Sequence, residues 1–369
     1  MRELISVIMA GVISGLLAPF VSGFMVKNIV FLNQLFGSFL VSAPFFGFWI
    51  IGFLSRHSNL ILGTGVNSYK DENVRIRLKD LVLKYFSTNI TLGFGGSGGL
   101  VSPILFIGKG LASIINPRGA KMFSIAFASG MLTFYLGTPL TSALLAVEYF
   151  ERDKISYEDF MPALLASTIS YYHHHLLGIE PIFLNSFNVE HLPFLGMKEV
   201  LLAFIFSPIF GLVGLSAYFL KWIYRKVISR MNIFQRTIVS GGFVSLVAML
   251  IDPRVLGLKV FYSSSPQIAG KFLVGKILAT VFTIESMGSS GYFTPLTIIG
   301  MNLGYVFSHF DFNAQIASVV GISSLLSSML NIPVAAVVFP VELFGLNALV
   351  PAAIGSSVAY ILYRKYRLE

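Results

Sequence analysis

The sequence contains no cysteine, which excludes structural disulfides and thiolate metal sites while leaving the compartment open. Charge is scarce as well. Asp, Glu, Lys and Arg make up 12% of the 369 residues, about half of the roughly 25% carried by a soluble domain. Length alone would fit two or three soluble domains, but this polarity excludes them. Three of the six histidines are consecutive, His173, His174 and His175. Adjacent histidines on a helix point to different faces and hold one metal poorly, so the run reads as a solvated loop able to modulate by titration near neutral pH. There is no nucleophile–base set, no phosphate loop with a lysine and no metal-ligand spacing. The sequence therefore gives no ground for an enzyme, a cofactor or a metal site. The net charge of +9 is spread over short loops, and the aromatic residues sit in apolar stretches. That pattern argues against a nucleic-acid partner.

What is present in excess is apolar: 55% of the chain. Apolar stretches cover Leu4–Phe24, Phe36–Leu54, Phe123–Val147, Val200–Leu220, Ile238–Ile251 and Val334–Leu349. A membrane span needs about 20 apolar residues. Many stretches here are shorter or broken by Gly and Pro, which suits a bundle with re-entrant or tilted helices. The expected class is an all-α polytopic membrane protein whose first partner is the lipid bilayer. The N-terminal stretch lacks a clear small-residue cleavage site and is followed by more spans, so it reads as the first membrane helix.

The chain repeats itself. Lys84–Gly108 (KYFSTNITLGFGGSGGLVSPILFIG) recurs 192 residues later as Lys276–Gly300 (KILATVFTIESMGSSGYFTPLTIIG). Lys84, Thr88, Thr91, Gly96, Ser97, Gly99, Pro103, Ile107 and Gly108 all fall on identical residues. Glycine permits close backbone approach, and proline suits the first turn of a helix. A helix N-terminus thus points into a glycine-lined gap, twice, and such N-termini attract anions. Paired broken helices in two related halves mark a membrane transport site. The duplication continues in Leu136–Phe150 against Leu330–Phe344, with Pro139/Pro333 and Glu148/Glu342 offset by 194, and in PALLASTISYY from Pro162 against PAAIGSSVAYI from Pro351. The expected organisation is a first membrane repeat over 1–178, an extracellular linker over 179–196 and a second repeat over 197–369, with no soluble C-terminal domain.

Charge orients the halves. A loop over Ser22–Ser38 would contain only Lys27, whereas its counterpart contains Lys221, Arg225, Lys226, Arg230 and Arg236. Positive loops stay cytoplasmic, so the halves read as inverted, with both termini cytoplasmic in an inner or plasma membrane. Glu148 and Glu342, at matched places, read as helix-end structure. Lys84 and Lys276 either bias a pathway toward anions or anchor at the cytoplasmic face. Ser97, Ser102, Ser289 and Thr294 read as helix caps and backbone-satisfying hydroxyls. Glu285, six residues before Gly291, is either an intramembrane functional acid or a surface residue, or one paired with Lys276.

These residues resemble the CLC family of chloride channels and chloride/proton exchangers over nearly the whole chain. GTGVN (Gly63–Asn67) is similar to the family's GSGIP, GLVSP (Gly99–Pro103) sits where the family has G-K/R-E-G-P, and GYFTP (Gly291–Pro295) fits G-x-F-x-P. LGTPLTSALLAVE and LNIPVAAVVFPVE resemble the family's two P-L…E helices. VLGLKVF (Val255–Phe261) and LVLKYF around Lys84 match two further segments. The resemblance implies a homodimer with one anion pathway per subunit where two inverted repeats meet, and chloride as the bound substrate. It places an anion among Thr64, Gly99, Leu100, Val101, Tyr292 and Phe293. The amides of Tyr292 and Phe293 would coordinate, with Thr64 as the hydroxyl donor in place of the family's serine.

The departures bear on mechanism. The family's outer-gate glutamate is Val101 here, its flanking basic residue is Leu100, and no acid lies between Gly95 and Pro103. The inner proton-accepting position is Tyr149. No residue matches the family's central tyrosine. Coupled exchange needs a group that binds proton and anion in alternation, so the resemblance with these losses implies passive, uncoupled conduction or uniport of chloride-type monovalent anions. A proton-coupled exchanger using another acid such as Glu285, and a non-conducting scaffold or sensor, are the alternatives.

Overall fold

A computed structural model describes residues 1–117, 121–151, 155–183, 192–193, 195–258, 260–261, 263 and 265–366. Half of the linker assigned to 179–196, Lys259 in the VLGLKVF segment and residues 367–369 lie outside them.

The described residues form α-helices and short helical turns, with no strand. The first half contains α1 (Arg2–Ala18), α2 (Phe24–Phe36), α3 (Ala43–Leu54), α4 (Val66–Lys70), α5 (Leu78–Gly93), α6 (Val101–Ile115), α7 (Lys121–Leu136), α8 (Pro139–Phe150) and α9 (Tyr157–Leu176). The second contains α10 (Met197–Ile228), α11 (Ile233–Leu250), α12 (Pro266–Glu285), α13 (Phe293–Phe307), α14 (Ala314–Leu325), α15 (Pro333–Phe344) and α16 (Leu349–Tyr363). Among the described residues, five helical stretches are long and apolar enough to cross a membrane: Arg2–Val41, Met197–Ile228, Ile233–Leu250, Pro266–Glu285 and Leu346–Tyr366. At 1.5 Å per residue the 32-residue α10 is about 48 Å long, against a hydrocarbon core of about 30 Å, so it crosses at a tilt or projects beyond it. Others, such as the 15-residue α6 and α13, are too short to cross and start inside the protein.

One expectation fails here. There is no loop over Ser22–Ser38: α1 runs through one wide turn at Pro19–Gly23 straight into α2. Low charge marked a helix that continues, and the basic residues of the second half likewise sit mostly on helix, Lys221, Arg225 and Lys226 on α10 and Arg236 on α11.

Polarity is inside out relative to a soluble protein. Phe20, Leu35 and Leu250 are exposed, while Lys84, Lys276, Ser97, Thr88, Thr91 and Ser289 are buried completely. Such a surface fits lipid, and a polar interior in that setting marks a pathway or a binding site. The halves pack alike. α6 crosses α7 where Gly108 lies on Ala128, and a Cβ at Gly108 would come within 2.7 Å of the Ala128 Cα. α13 crosses α14 where a Cβ at Gly300 would come within 2.5 Å of the Ile322 nitrogen. Small residues let these backbones approach in the absence of a hydrophobic drive between helices.

α8 and α15 are tied by exchanged carboxylates. Glu148 of α8 accepts from the first amides of α15, Val334 at 3.0 Å and Ala335 at 2.9 Å. Glu342 of α15 accepts from Leu140 at 2.9 Å and Thr141 at 2.6 Å at the start of α8, and from the Thr141 hydroxyl. Each acid therefore caps the other half's helix at its positive end, as expected of helix-end structure.

The histidine run lies on the last turn of α9, not in a solvated loop. His174 is buried, its Nε2 is 2.8 Å from the Gly15 carbonyl oxygen and its ring packs on Phe134. Neighbouring positions on a helix face different ways, so one of three histidines turns into the α1–α9 contact.

Candidate anion site

The two glycine loops meet. Gly99 N–H donates to the Gly291 carbonyl at 2.8 Å, and Gly291 N–H donates back to Gly99 at 2.8 Å, an isolated antiparallel pairing. Such close approach requires glycine. A Cβ at Gly99 would lie 2.5 Å from Thr294 Oγ1, and one at Gly291 would lie 2.7 Å from Ser102 Oγ.

Behind this bridge each half finishes the other's loop. Ser97 N–H donates to Thr283 Oγ1 at 2.9 Å, and Ser289 N–H donates to Thr91 Oγ1 at 3.0 Å. The Ser97 and Thr280 hydroxyls bond at 2.9 Å, and those of Ser289 and Thr88 at 2.7 Å. These are residues whose identity at an offset of 192 defined the repeat. Their role differs from the expected one. α6 and α13 begin at residues capped by no side chain, Leu100 and Tyr292, and the backbone-satisfying hydroxyls come from Thr91 and Thr283. Thr91→Val and Thr283→Val are each expected to lower stability by about 1–3 kcal/mol, the cost of leaving a buried amide donor unsatisfied. Thermal unfolding of the purified variants checks this.

The turn bearing Thr64 docks on the same assembly. Gly63 N–H donates to the Met287 carbonyl at 3.1 Å, and the matched pair, Gly257 to Gly95, is 3.2 Å. Gly63, Gly95 and Gly257 have left-handed backbones at φ 61°, 87° and 67°, and Met287 adopts φ 79° in the fourth place. A side chain there is strained by roughly 1–2 kcal/mol, held by the bonds around it. Thr64 Oγ1 accepts from Val66 N–H at 3.3 Å, at the start of α4. Its O–H remains a donor.

Two buried lysines underlie these turns. Lys84 Nζ donates to the carbonyls of Ile61 (3.1 Å) and Gly63 (2.8 Å), and Lys276 Nζ to those of Val255 (2.9 Å) and Gly257 (3.1 Å). Both are fully buried, so neither anchors at an aqueous face. Lys109, which no motif marks, adds a third tie to the carbonyls of Ser68 (2.9 Å) and Asp71 (2.6 Å) beyond Thr64.

Gly99, Leu100, Val101, Tyr292 and Phe293 are therefore brought together at two helix starts joined by the Gly99–Gly291 pairing, and the turn bearing Thr64 docks on Met287, a few residues before that pairing. The first amides of any α-helix lack intrahelical partners, and here both sets open among buried residues. Leu100, Val101 and Phe293 are completely buried. Tyr149 is buried, with its phenol near the Ser102 side chain. Tyr135, also missed, stands 3.3 Å from Thr294 Oγ1. Glu285 does not pair with Lys276 and does not lie at the surface. Its Oε2 accepts from Arg225 Nε at 2.8 Å and its Oε1 from Tyr292 Oη at 2.8 Å. No group of three or more His, Cys, Asp or Glu able to hold a metal occurs among the described residues. Main-chain and hydroxyl donors of this kind suit a small anion.

The family model described as voltage gated chloride channel matches residues 1–134 and 67–364. The chain belongs to this family. It is 26% identical to an uncharacterized protein of Methanocaldococcus jannaschii over 85% of this chain and 82% of that one. It is 23% identical to a chloride/fluoride channel protein of Pseudomonas syringae pv. tomato, over 78% and 67% respectively. Among solved structures, a CLC-type fluoride/proton antiporter aligns with a TM-score of 0.82 at 22% identity, covering 99% of this CLC chain and 97% of its own. A slow cyanobacterial Cl−/H+ antiporter aligns with a TM-score of 0.83 at 14% identity, covering 99% and 95%. The expected polytopic all-α CLC fold is thus what the molecule has, and anion transport is its family's function.

Proposed function

We propose that this CLC protein conducts chloride-type anions passively, as an uncoupled channel or uniporter, with the anion held by the Tyr292 and Phe293 amides and the Thr64 hydroxyl. The observation that carries this reading is Val101. The first residue of α6, at the mouth of the first set of amides, is a buried hydrocarbon with no proton to carry and no charge to compete with an anion. Tyr149 at the inner position offers a buried phenol, not a carboxylate. Neutral amide and hydroxyl donors bind an anion weakly enough to release it. Likeness to the family supports a homodimer with one pathway per subunit, and the distribution of basic residues supports cytoplasmic termini in an inner or plasma membrane.

A second reading, proton-coupled exchange, draws on the two antiporters of like fold and would need an acid such as Glu285. Paired chloride and proton flux from proteoliposomes, under a chloride gradient with voltage clamped by a potassium ionophore, separates the two. Chloride movement without uphill proton movement is the expected result. Stoichiometric proton counterflow would sink the proposal, and absence of any flux would favour a non-conducting scaffold or sensor.

A further inference from the structure

The polar contacts that join the two loops come in matched pairs, but the junction of α12 and α13 carries charge that its counterpart lacks. Glu285 and Tyr292 stand 192 positions after Gly93 and Leu100. In the first half, α2 fills this place with hydrocarbon: a Cβ at Gly93 would lie 2.5 Å from Leu32 Cδ1. In the second half, α10 brings Arg225 to the Glu285 carboxylate, and one turn earlier places Lys221 Nζ 5.4 Å from the centre of the Tyr292 ring.

The resulting chain runs from the protein surface to the loop. The Arg225 side chain is 65% exposed, that of Glu285 is 3% exposed, and Tyr292 is buried. Tyr292 is the residue immediately before α13, so its side chain and its backbone amide move together. A phenol donating to an ionised carboxylate makes one of the stronger hydrogen bonds available, and the carboxylate is itself fixed by the guanidinium. The residue that opens α13 is thereby tied through its side chain to α10, whereas the matched Leu100 has a hydrocarbon side chain that can make no such tie.

We propose that Glu285, anchored by Arg225, is a positioning residue that sets the anion preference of the second loop through the Tyr292 hydroxyl. This rests on the anion-pathway reading above. A proton-carrying role fits the geometry less well, because each carboxylate oxygen already accepts from a donor and protonation would weaken one of those bonds. Preference among monovalent anions depends on the spacing of neutral donors against the cost of dehydration, and that spacing is what the chain fixes.

The test compares wild type, Tyr292→Phe, Glu285→Gln and the double variant. Chloride and nitrate binding to the detergent-solubilised protein is measured calorimetrically, alongside chloride, nitrate and proton flux in liposomes. Tyr292→Phe keeps the ring and removes one O–H, so it guards against a fold lost through Glu285. Each single variant is expected to change the chloride-to-nitrate affinity ratio in the same direction by about tenfold, the equivalent of one hydrogen bond to a charged group, and the double variant to change it no further. An unchanged ratio in Tyr292→Phe, or additive shifts, would overturn the proposal. So would proton flux lost in Glu285→Gln with the ratio intact, which would make Glu285 a proton carrier. Wild-type flux reports on conduction itself, and the binding ratio reads the positioning role even where no flux occurs.

Discussion

Val101→Glu is expected to close the pathway at neutral pH. Residue 101 opens α6, and its side chain is buried beside amides that have no partner within the helix. A glutamate carboxyl ionises around pH 4.3 in an unperturbed setting, so at pH 7 it would be charged and drawn to the positive end of the helix. It would take the amides a chloride ion uses. Chloride efflux from proteoliposomes at pH 7.5 should fall by at least about tenfold, the equivalent of one charge-assisted hydrogen bond. The sign follows from ionisation: deprotonation closes, so flux should return as pH falls through the new carboxyl's pKa. Val101→Gln, neutral and of similar size, should show no such pH dependence. Proton coupling should not appear, because Tyr149 still stands at the inner position. Efflux by Val101→Glu that stays at the wild-type level across this pH range would show that residue 101 does not face the anion route.

Glu148→Ala and Glu342→Ala should each destabilise the fold by about 2–6 kcal/mol. Each substitution strands two amides at the start of a helix in the other half, and an unsatisfied buried donor costs about 1–3 kcal/mol. Glu342→Ala should cost somewhat more, since the Thr141 hydroxyl also loses its acceptor. Glutamine keeps one oxygen acceptor and should restore part of the loss. Thermal unfolding in detergent measures all four. Midpoints unchanged from wild type would mean that the exchanged caps contribute nothing to stability.

The sequence made the loops legible because their residues were fixed twice. Thr88, Thr91, Ser97 and Gly99 recur at one offset, since each bonds to, or packs against, the other half's copy of the same motif. Glu148 and Glu342 were readable as structural for the same reason. What stayed hidden was asymmetric. Arg225 and Glu285 lie 60 positions apart with no motif linking them, so pairing Glu285 with Lys276 in the same helix was the nearer guess. Lys276 is instead taken by two carbonyls, because its place was set by the repeat and not by charge. The segment over Ser22–Ser38 misled through composition: Pro19, Ser22 and Gly23 look like a break, yet the backbone absorbs them in one widened turn. His174 could not be told from its neighbours until the helix gave each a direction.

The exchanged serine–threonine bonds also bear on descent. Because Thr91 serves Ser289 while Thr283 serves Ser97, two copies of a single half-length polypeptide, inserted in opposite senses, would make the same bonds with one another. Duplication and fusion of such a self-pairing ancestor would inherit a finished centre. Only afterwards could the two copies drift apart, and the acid of Glu285 where the first copy has Gly93 is the kind of difference that fusion allows and identical partners forbid.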